Sequence, residues 1–297
     1  MKAWTIGELL KVSADYLKQK GIEAPRLSAE ILLARQLRLT RIKLYLQYDQ
    51  PLTEQEVEGY RALIRRRLSR EPIQYITGSR EFWSMEFTVS PSVLIPRPET
   101  EGLVEQAVAL GRETPYLREE GVHLLDLGTG CGALAVALAC EFEKARILAT
   151  DLSEEALRVA RGNAERHGVQ DRIEFRAGDW FGPFAGEEIR FHMILSNPPY
   201  IPSEGFEALS PEVREHEPRM ALDGREKGMV DITRILKEAA RYLHPGGWIL
   251  MEMDPEQTLP AIRIIEETGR FTEPRRIRDY SHRYRVVMAK KKVSSQQ

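Results

Sequence analysis

The sequence is poor in the residues that mark several protein classes. Among its 297 residues are two cysteines, Cys131 and Cys140, and six histidines. Two cysteines make neither a disulfide framework nor a four-ligand zinc site. The histidines are scattered without metal-ligand spacing, so no metal site is expected. No uninterrupted apolar run reaches the roughly 18 residues of a membrane helix. The N-terminus, MKAWTIGELLKVSADYLKQK, alternates apolar and charged residues and lacks the apolar core of a signal peptide. An excess of one charge is missing too: 43 basic residues face 45 acidic ones, for a net charge of −2. That balance argues against coating a nucleic acid by bulk electrostatics. The expectation is a soluble, cytoplasmic globular protein of one large or two smaller domains, without a membrane span. Hydrophobic residues make up 42% of the chain, enough for a real core.

The near-neutral total hides a division. Residues 1–78 hold 14 basic and 9 acidic residues, +5, which leaves −7 for the remainder. The basic part reads as short amphipathic helices. Thr5 caps a helix over about 6–20, which Gly21 ends. Others are expected over about 26–37, 40–47 and 54–69, the last opened by a Thr53–Glu56 capping box. Arg65, Arg66 and Arg67 on that helix read either as a solvated face or as part of a docking surface. Residues 1–75 are therefore expected to form a helical docking domain. Residues 76–96 read as a connector, in which EFWSMEFTVS alternates apolar and polar residues as a strand or hairpin does. The polar tail KKKVSSQQ reads as frayed.

From residue 97 to 297, strand and helix patterns alternate. Strands are expected at 122–127, 145–151, 172–177, 191–196, 245–253, 273–279 and 283–290. Helices are expected at 99–111, 131–143, 153–167, 229–242 and 256–268. This alternation implies an α/β fold with a mainly parallel, doubly wound sheet. The last two strands lack an intervening helix and should close as an antiparallel hairpin at the edge. Such sheets bind ligands at the carboxyl ends of their strands, near the switch in strand order.

Three segments fall at such ends. In HLLDLGTGCGALAVALA a buried strand ends at Asp126-Leu127, and Gly128, Gly130 and Gly132 precede a helix. The spacing is GxGxG, not the GxGxxG of dinucleotide binders. Asp151 ends the next strand, 19 residues beyond Gly132, where a carboxylate accepts from ribose hydroxyls. The bland alternative is that the glycines only allow close strand–helix packing. Asp126 either reaches a ligand or orders the loop. In AGDWF, Asp179 and Trp180 suit an adenine amino group and ring, or else a cap and a core aromatic. In SNPPY, two prolines stiffen the chain after Asn197 and remove two amide donors. The Asn197 side-chain oxygen and the Pro198 carbonyl remain as acceptors for both hydrogens of a planar NH2 group, and Tyr200 can pack on its face.

These segments, in this order, resemble class I S-adenosylmethionine-dependent methyltransferases. NPPY resembles the subset that methylates amino groups attached to planar systems. The stretch PIQYITGSREFWSMEFTVSPSVLIPRPETE is similar to the signature of the protein-(glutamine-N5) methyltransferases called HemK or PrmC. The resemblance covers nearly the whole chain. It implies a Rossmann-like seven-stranded sheet with an antiparallel C-terminal hairpin, beside a small helical bundle. It also implies S-adenosyl-L-methionine as cofactor, with S-adenosyl-L-homocysteine as product. The implied substrate is the glutamine of the Gly-Gly-Gln motif in class I peptide-chain release factors, with no direct nucleic-acid binding and a monomeric enzyme. Cofactor contacts carry over to Gly128, Thr129, Gly130, Cys131, Gly132, Asp151, Trp180 and Asn197. Substrate contacts carry over to Asn197, Pro198, Pro199 and Tyr200, with Asn197, Pro198 and Tyr200 as the catalytic set. The sequence departs from the family at Cys131, often Ser or Thr. Arg225-Glu226-Lys227 stands where the family tends towards Gly-x-Asp. Asp254 and His282 stand where glycine is usual. Two relatives of this chemistry stay open: a glutamine methyltransferase of a ribosomal protein, and an adenine-N6 nucleic-acid methyltransferase. An oxidoreductase fits the fold but not the GxGxG spacing, and a non-enzymatic cofactor binder has no use for an acceptor clamp.

Overall fold

The computed structural model describes residues 4–293. By internal contacts the chain forms two units. One runs up to Ser79 and takes in Ser210–His216; the other holds Arg80–Leu209 and the chain from Glu217 onward.

The first unit is helical. Helix α1 (Ile6–Gln19) opens with a full capping box, in which Glu8 N donates to Thr5 Oγ1 and Thr5 N to Glu8 Oε2. Helix α2 (Pro25–Leu37) starts at a proline, which lacks the amide donor that a first turn leaves unpaired anyway. A short α3 (Arg41–Leu46) and α4 (Glu54–Leu68) follow, α4 with its own Thr53–Glu56 capping box. Ile6, Leu10, Leu17, Leu32, Leu33, Leu44 and Tyr60 are fully buried between them. One more helix, α5 (Ile73–Thr77), crosses the expected boundary at residue 75 into the segment read as connector and is ended by Gly78 at φ +79°.

In the second unit β1 (Ser79–Phe82) and β2 (Met85–Thr88) make a two-stranded sheet, turned through Trp83 and Ser84 at positive φ. Then come α6 (Glu101–Glu113), β3 (His123–Leu127), α7 (Ala133–Glu141), β4 (Arg146–Asp151), α8 (Glu154–Arg166), β5 (Ile173–Ala177) and β6 (Phe191–Ser196). After the two-residue β7 (Ile201–Pro202), the chain adds α9 (Pro211–His216) to the helical unit. There Arg67, 6% exposed, pairs with Glu212 at 2.9 Å. Of the three arginines read as a solvated or docking face, Arg67 is thus an internal tie. Arg65 and Arg66 are exposed and pair with Glu58 and Glu71. The chain closes with β8 (Asp223–Arg225), α10 (Val230–Tyr242), β9 (Leu243–Glu252), α11 (Thr258–Glu267), β10 (Phe271–Arg278) and β11 (Tyr284–Lys291).

The main sheet has seven strands in the order β10-β11-β9-β6-β3-β4-β5. The central five are parallel; β11 runs antiparallel to β9 and pairs with β10 as the edge hairpin. The expected frayed tail begins too early: Lys290 and Lys291 belong to β11, and Lys291 Nζ donates to Leu243 O at 2.7 Å. Residues 294–297 lie outside the described residues. From β3 the chain winds outward one way through β4 and β5, and the other way through β6 and β9. The switch therefore falls between β3 and β6, whose last residues, Leu127 and Ser196, are register partners. Topology alone puts the glycine loop beside NPPY.

Candidate active site

A cavity of about 640 Å³ opens at these strand ends, within the range of small-molecule sites. Its wall includes Gly128, Gly130, Asp151, Gly178, Asp179, Trp180, Asn197, Pro199, Arg225 and Asp231. A smaller slot beside it is lined by Phe82, Leu94, Arg97, Thr100, Thr129, Cys131 and Asn197. Asn197 and the glycine loop border both.

The three loop glycines have different tasks. Gly130, at φ +57°, faces open space, and its N–H donates to Asp151 Oδ2 at 2.8 Å. It brings bare backbone to the cavity, the functional use of a glycine. Gly132, at φ +82°, precedes α7, and a Cβ there would stand 3.0 Å from that of Ala160. It serves the bland role of close packing. At Gly128 an added Cβ would meet the Trp180 ring at 3.3 Å. Thr129 and Cys131 are buried in the loop, and the Cys131 carbonyl accepts from Asn163 Nδ2 at 2.8 Å. Asp126 orders the loop: it is 1% exposed, and its Oδ2 accepts from Thr129 Oγ1 at 2.6 Å. Burial, with the nearby Asp151 adding to it, pushes its carboxyl up to about 7.

Asp151 Oδ1 accepts from Ser153 N at 2.9 Å, so both its oxygens are held by backbone while the side chain borders the cavity. Burial also pushes this carboxyl up. Beside Gly128 on the cavity wall, Trp180 holds φ +49°, and its Nε1 donates to Asp231 Oδ1 at 3.1 Å. Asp231 is 4% exposed and pairs with Arg225 as well. Asp179 is exposed and carries an ion pair to Arg234.

The NPPY segment is held from several sides. Ser196 Oγ donates to Leu127 O at 2.8 Å, fastening the end of β6 to that of β3. Asn197 Nδ2 donates to Thr100 Oγ1 at 3.0 Å, which spends a side-chain hydrogen on the protein and leaves Oδ1 as an acceptor. Pro198 is buried, and Pro199 lines the cavity. The Tyr200 carbonyl accepts from Gln257 Nε2 at 2.7 Å. Its phenol lies 3.4 Å from Glu252 Oε1, and burial keeps it neutral. Behind the slot, Glu217, 6% exposed, accepts from Ile95 N at 3.2 Å and from Arg97 at 2.6 Å. Glu101 accepts from Trp83 N at 2.9 Å. Arg97 and Glu101 of RPETE thus have architectural work.

Of the site residues singled out from the sequence, the loop from Gly128 to Cys131, Asp151, Asp179, Trp180, Asn197 and Pro199 line one hollow or the other, whereas Gly132, Pro198 and Tyr200 line neither. The sequence reading missed Thr100, Asn163, Glu217, Asp231, Glu252 and Gln257. Their signal was weak, although Glu252 stands out as a lone charge in the apolar run WILMEM. The residues present suit S-adenosylmethionine. A carboxylate, Asp151, borders the cavity, bare backbone reaches it at Gly130, and the Trp180 indole, fixed by Asp231, lines it too.

Sheet order, glycine loop and NPPY define a methyltransferase, and a family model described as "Methyltransferase domain" matches residues 118–290. A second, described as "PrmC N-terminal domain", matches residues 8–78. A release factor glutamine methyltransferase from Geobacter sulfurreducens is 43% identical over 266 residues, 90% of each chain. One from Chlorobaculum tepidum is 38% identical over 282 residues, 94% of this chain and 95% of that one. The chain belongs to the release factor glutamine methyltransferase family. Among solved structures, a 16S rRNA methyltransferase from Thermus thermophilus in complex with AdoMet and guanosine shares the fold. It has a TM-score of 0.50 at 21% identity, covering 72% of this chain and 50% of that one.

Proposed function

We propose that this protein moves a methyl group from S-adenosyl-L-methionine to the side-chain amide nitrogen, N5, of a glutamine. The acceptor is the glutamine of the Gly-Gly-Gln motif in class I peptide-chain release factors, and S-adenosyl-L-homocysteine is released. The carrying observation is the orientation of Asn197: Nδ2 is spent on Thr100, which leaves Oδ1 for an incoming amide. The names of the relatives favour release factors over a ribosomal protein or adenine.

In this reading the backbone of Gly128, Thr129, Gly130, Cys131 and Gly132 and the carboxylate of Asp151 hold the cofactor's amino-acid and ribose parts. Trp180 and Asp179 hold its adenine. When bound, S-adenosylmethionine supplies a methyl group already activated on a sulfonium. The chain's work is to position a weak nucleophile. Asn197 Oδ1 and the Pro198 carbonyl accept both amide hydrogens and aim the nitrogen, within the roughly 3–3.5 Å that productive attack needs. The same two oxygens stabilise the positive charge that develops on nitrogen. The proton leaves to solvent afterwards, so no strong base is required. Tyr200 and Pro199 flank the amide and exclude water. The helical unit of residues 1–75 docks the folded substrate, and 97–297 carry the chemistry. We place the protein in the cytoplasm as a monomer; among the described residues no helix is long and apolar enough to cross a membrane.

The test is incubation with labelled S-adenosylmethionine and purified release factor, ribosomal proteins or DNA, with mass spectrometry to locate the methyl group. Label on the release-factor glutamine is expected. Label on DNA or ribosomal protein alone would overturn the reading.

A further inference from the structure

Glu252 ends β9 with no exposed surface and an unusual set of neighbours. Its neighbour in sequence, Met251, is the register partner of Ser196, so Glu252 lies level with the start of NPPY. The Tyr200 hydroxyl lies 3.4 Å from Oε1. The Thr100 hydroxyl is near enough to the same carboxyl to favour its charge, and Oε2 has no hydrogen-bond partner among the described residues. Thr100 Oγ1 is also the acceptor for Asn197 Nδ2. One buried carboxyl thus stands behind two of the three residues read as catalytic. A buried carboxyl with so few partners is costly, and nothing in the sheet core requires it.

We infer that Glu252 is a positioning residue, which acts through the Thr100 hydroxyl to set which way the Asn197 carboxamide faces. The inference rests on the acceptor role proposed for Asn197. A carboxylate is an acceptor only, whereas a hydroxyl has one hydrogen and free lone pairs. An ionised Glu252 therefore draws the Thr100 hydrogen towards itself. The Thr100 oxygen then offers only lone pairs to Asn197, which must present Nδ2 to it and Oδ1 to the substrate. A neutral carboxyl donates as readily as it accepts, which frees the Thr100 hydrogen. Asn197 can then turn over and set its NH2 against the substrate's NH2, donor against donor. The Tyr200 ring is steadied by the same carboxyl.

The charged groups that bear on Glu252 come from two segments. Glu99, in the turn before α6, disfavours its ionisation, and Arg285 of β11 favours it. The Tyr200 and Thr100 hydroxyls favour it too, while burial, the largest influence, opposes it and takes the carboxyl up to about 7. Arg97 bears on the Tyr200 side. The polarity of the relay is thus lost as pH falls below about 7.

The experiment measures kcat and the KM for S-adenosylmethionine with intact release factor from pH 6 to 9. Turnover of the parent should rise with pH through about 7. Glu252→Gln should lower kcat by about tenfold, the worth of one misdirected hydrogen bond, flatten the pH profile and leave the KM unchanged. Thr100→Val should reproduce this with Glu252 in place, and Thr100→Ser, which keeps the hydroxyl, should restore both rate and profile. If Glu252→Gln fails to fold, the Thr100 pair decides. A Glu252→Gln protein with the parent's kcat and profile overturns the inference, as does a Thr100→Ser no better than Thr100→Val. Asn197→Ala, run alongside, separates the two readings. An active Asn197→Ala overturns the clamp itself, whereas an inactive one beside a normal Glu252→Gln overturns only the positioning role.

Discussion

The backbone N–H of Gly130 donates to Asp151 Oδ2 at 2.8 Å. The bond joins the loop after β3 to the end of β4 and holds the carboxylate at the cavity wall. Asp151→Ala removes the acceptor for both Gly130 and Ser153, together with the group assigned to the cofactor's ribose. Hydrogen bonds to a charged group are worth about 2 kcal/mol, so S-adenosylmethionine should bind ~30-fold more weakly. Calorimetric titration checks this, with circular dichroism to verify the fold; unchanged affinity would remove Asp151 from the site.

Asn197→Ala removes the side-chain acceptor of the proposed clamp but leaves the glycine loop and Trp180 untouched. Turnover should be abolished while cofactor binding largely survives. Single-turnover assays and a binding titration on the same preparation decide it, and near-normal turnover contradicts the clamp.

At His282 a side chain stands in the left-handed region, φ +60°. The turn around it is closed by Asp279 N to Arg283 O at 2.8 Å and His282 N to Asp279 O at 2.9 Å. A non-glycine residue there costs about 1 kcal/mol. His282→Gly should therefore raise the melting temperature by about 2–4 °C at unchanged turnover. A lower melting temperature would show that the imidazole contributes more than its backbone costs.

At the opposite end of the sheet, His192 Nδ1 accepts from His123 N at 3.1 Å, and the rings of His192 and His244 stand 4.4 Å apart. Burial, then the charge of His244, lowers the affinity of His192 for a proton; burial, then Arg190, does the same for His244. Both rings bind fewer protons folded than unfolded. Their contribution is complete above the ordinary histidine pKa of about 6.5 and is lost as pH falls below it. His192→Asn keeps an acceptor for His123 but cannot titrate. Its melting temperature should fall less steeply than the parent's from pH 7 to pH 5; superimposable slopes would exclude this pair as the cause.

The departures from family pattern become physically legible at the same backbone feature as His282. Arg225 and Lys227 stand where the family tends towards Gly-x-Asp, and they hold φ +62° and +50°. The sequence showed the substitutions, and only the backbone shows that Arg225 carries a strained conformation into an ion pair with Asp231 at the cavity wall. Trp180 was likewise legible as an aromatic at a strand end. Its indole partner, 51 residues further on, was not.

Local information in the sequence was enough for most of the elements. The capping boxes at Thr5 and Thr53 form within four residues, and the apolar runs of β3, β4 and β6 are continuous because both sheet faces are covered. The GxGxG loop and NPPY were readable for a similar reason: glycine and proline act on their own backbone wherever they stand. The buried polar network was decided in three dimensions alone. Thr100 meets Asn197 across 97 residues, Glu217 meets Arg97 across 120, and Glu252 meets Tyr200 across 52. A polar side chain in the interior is defined by the partner that satisfies it, and that partner is chosen by strand order and not by neighbouring sequence.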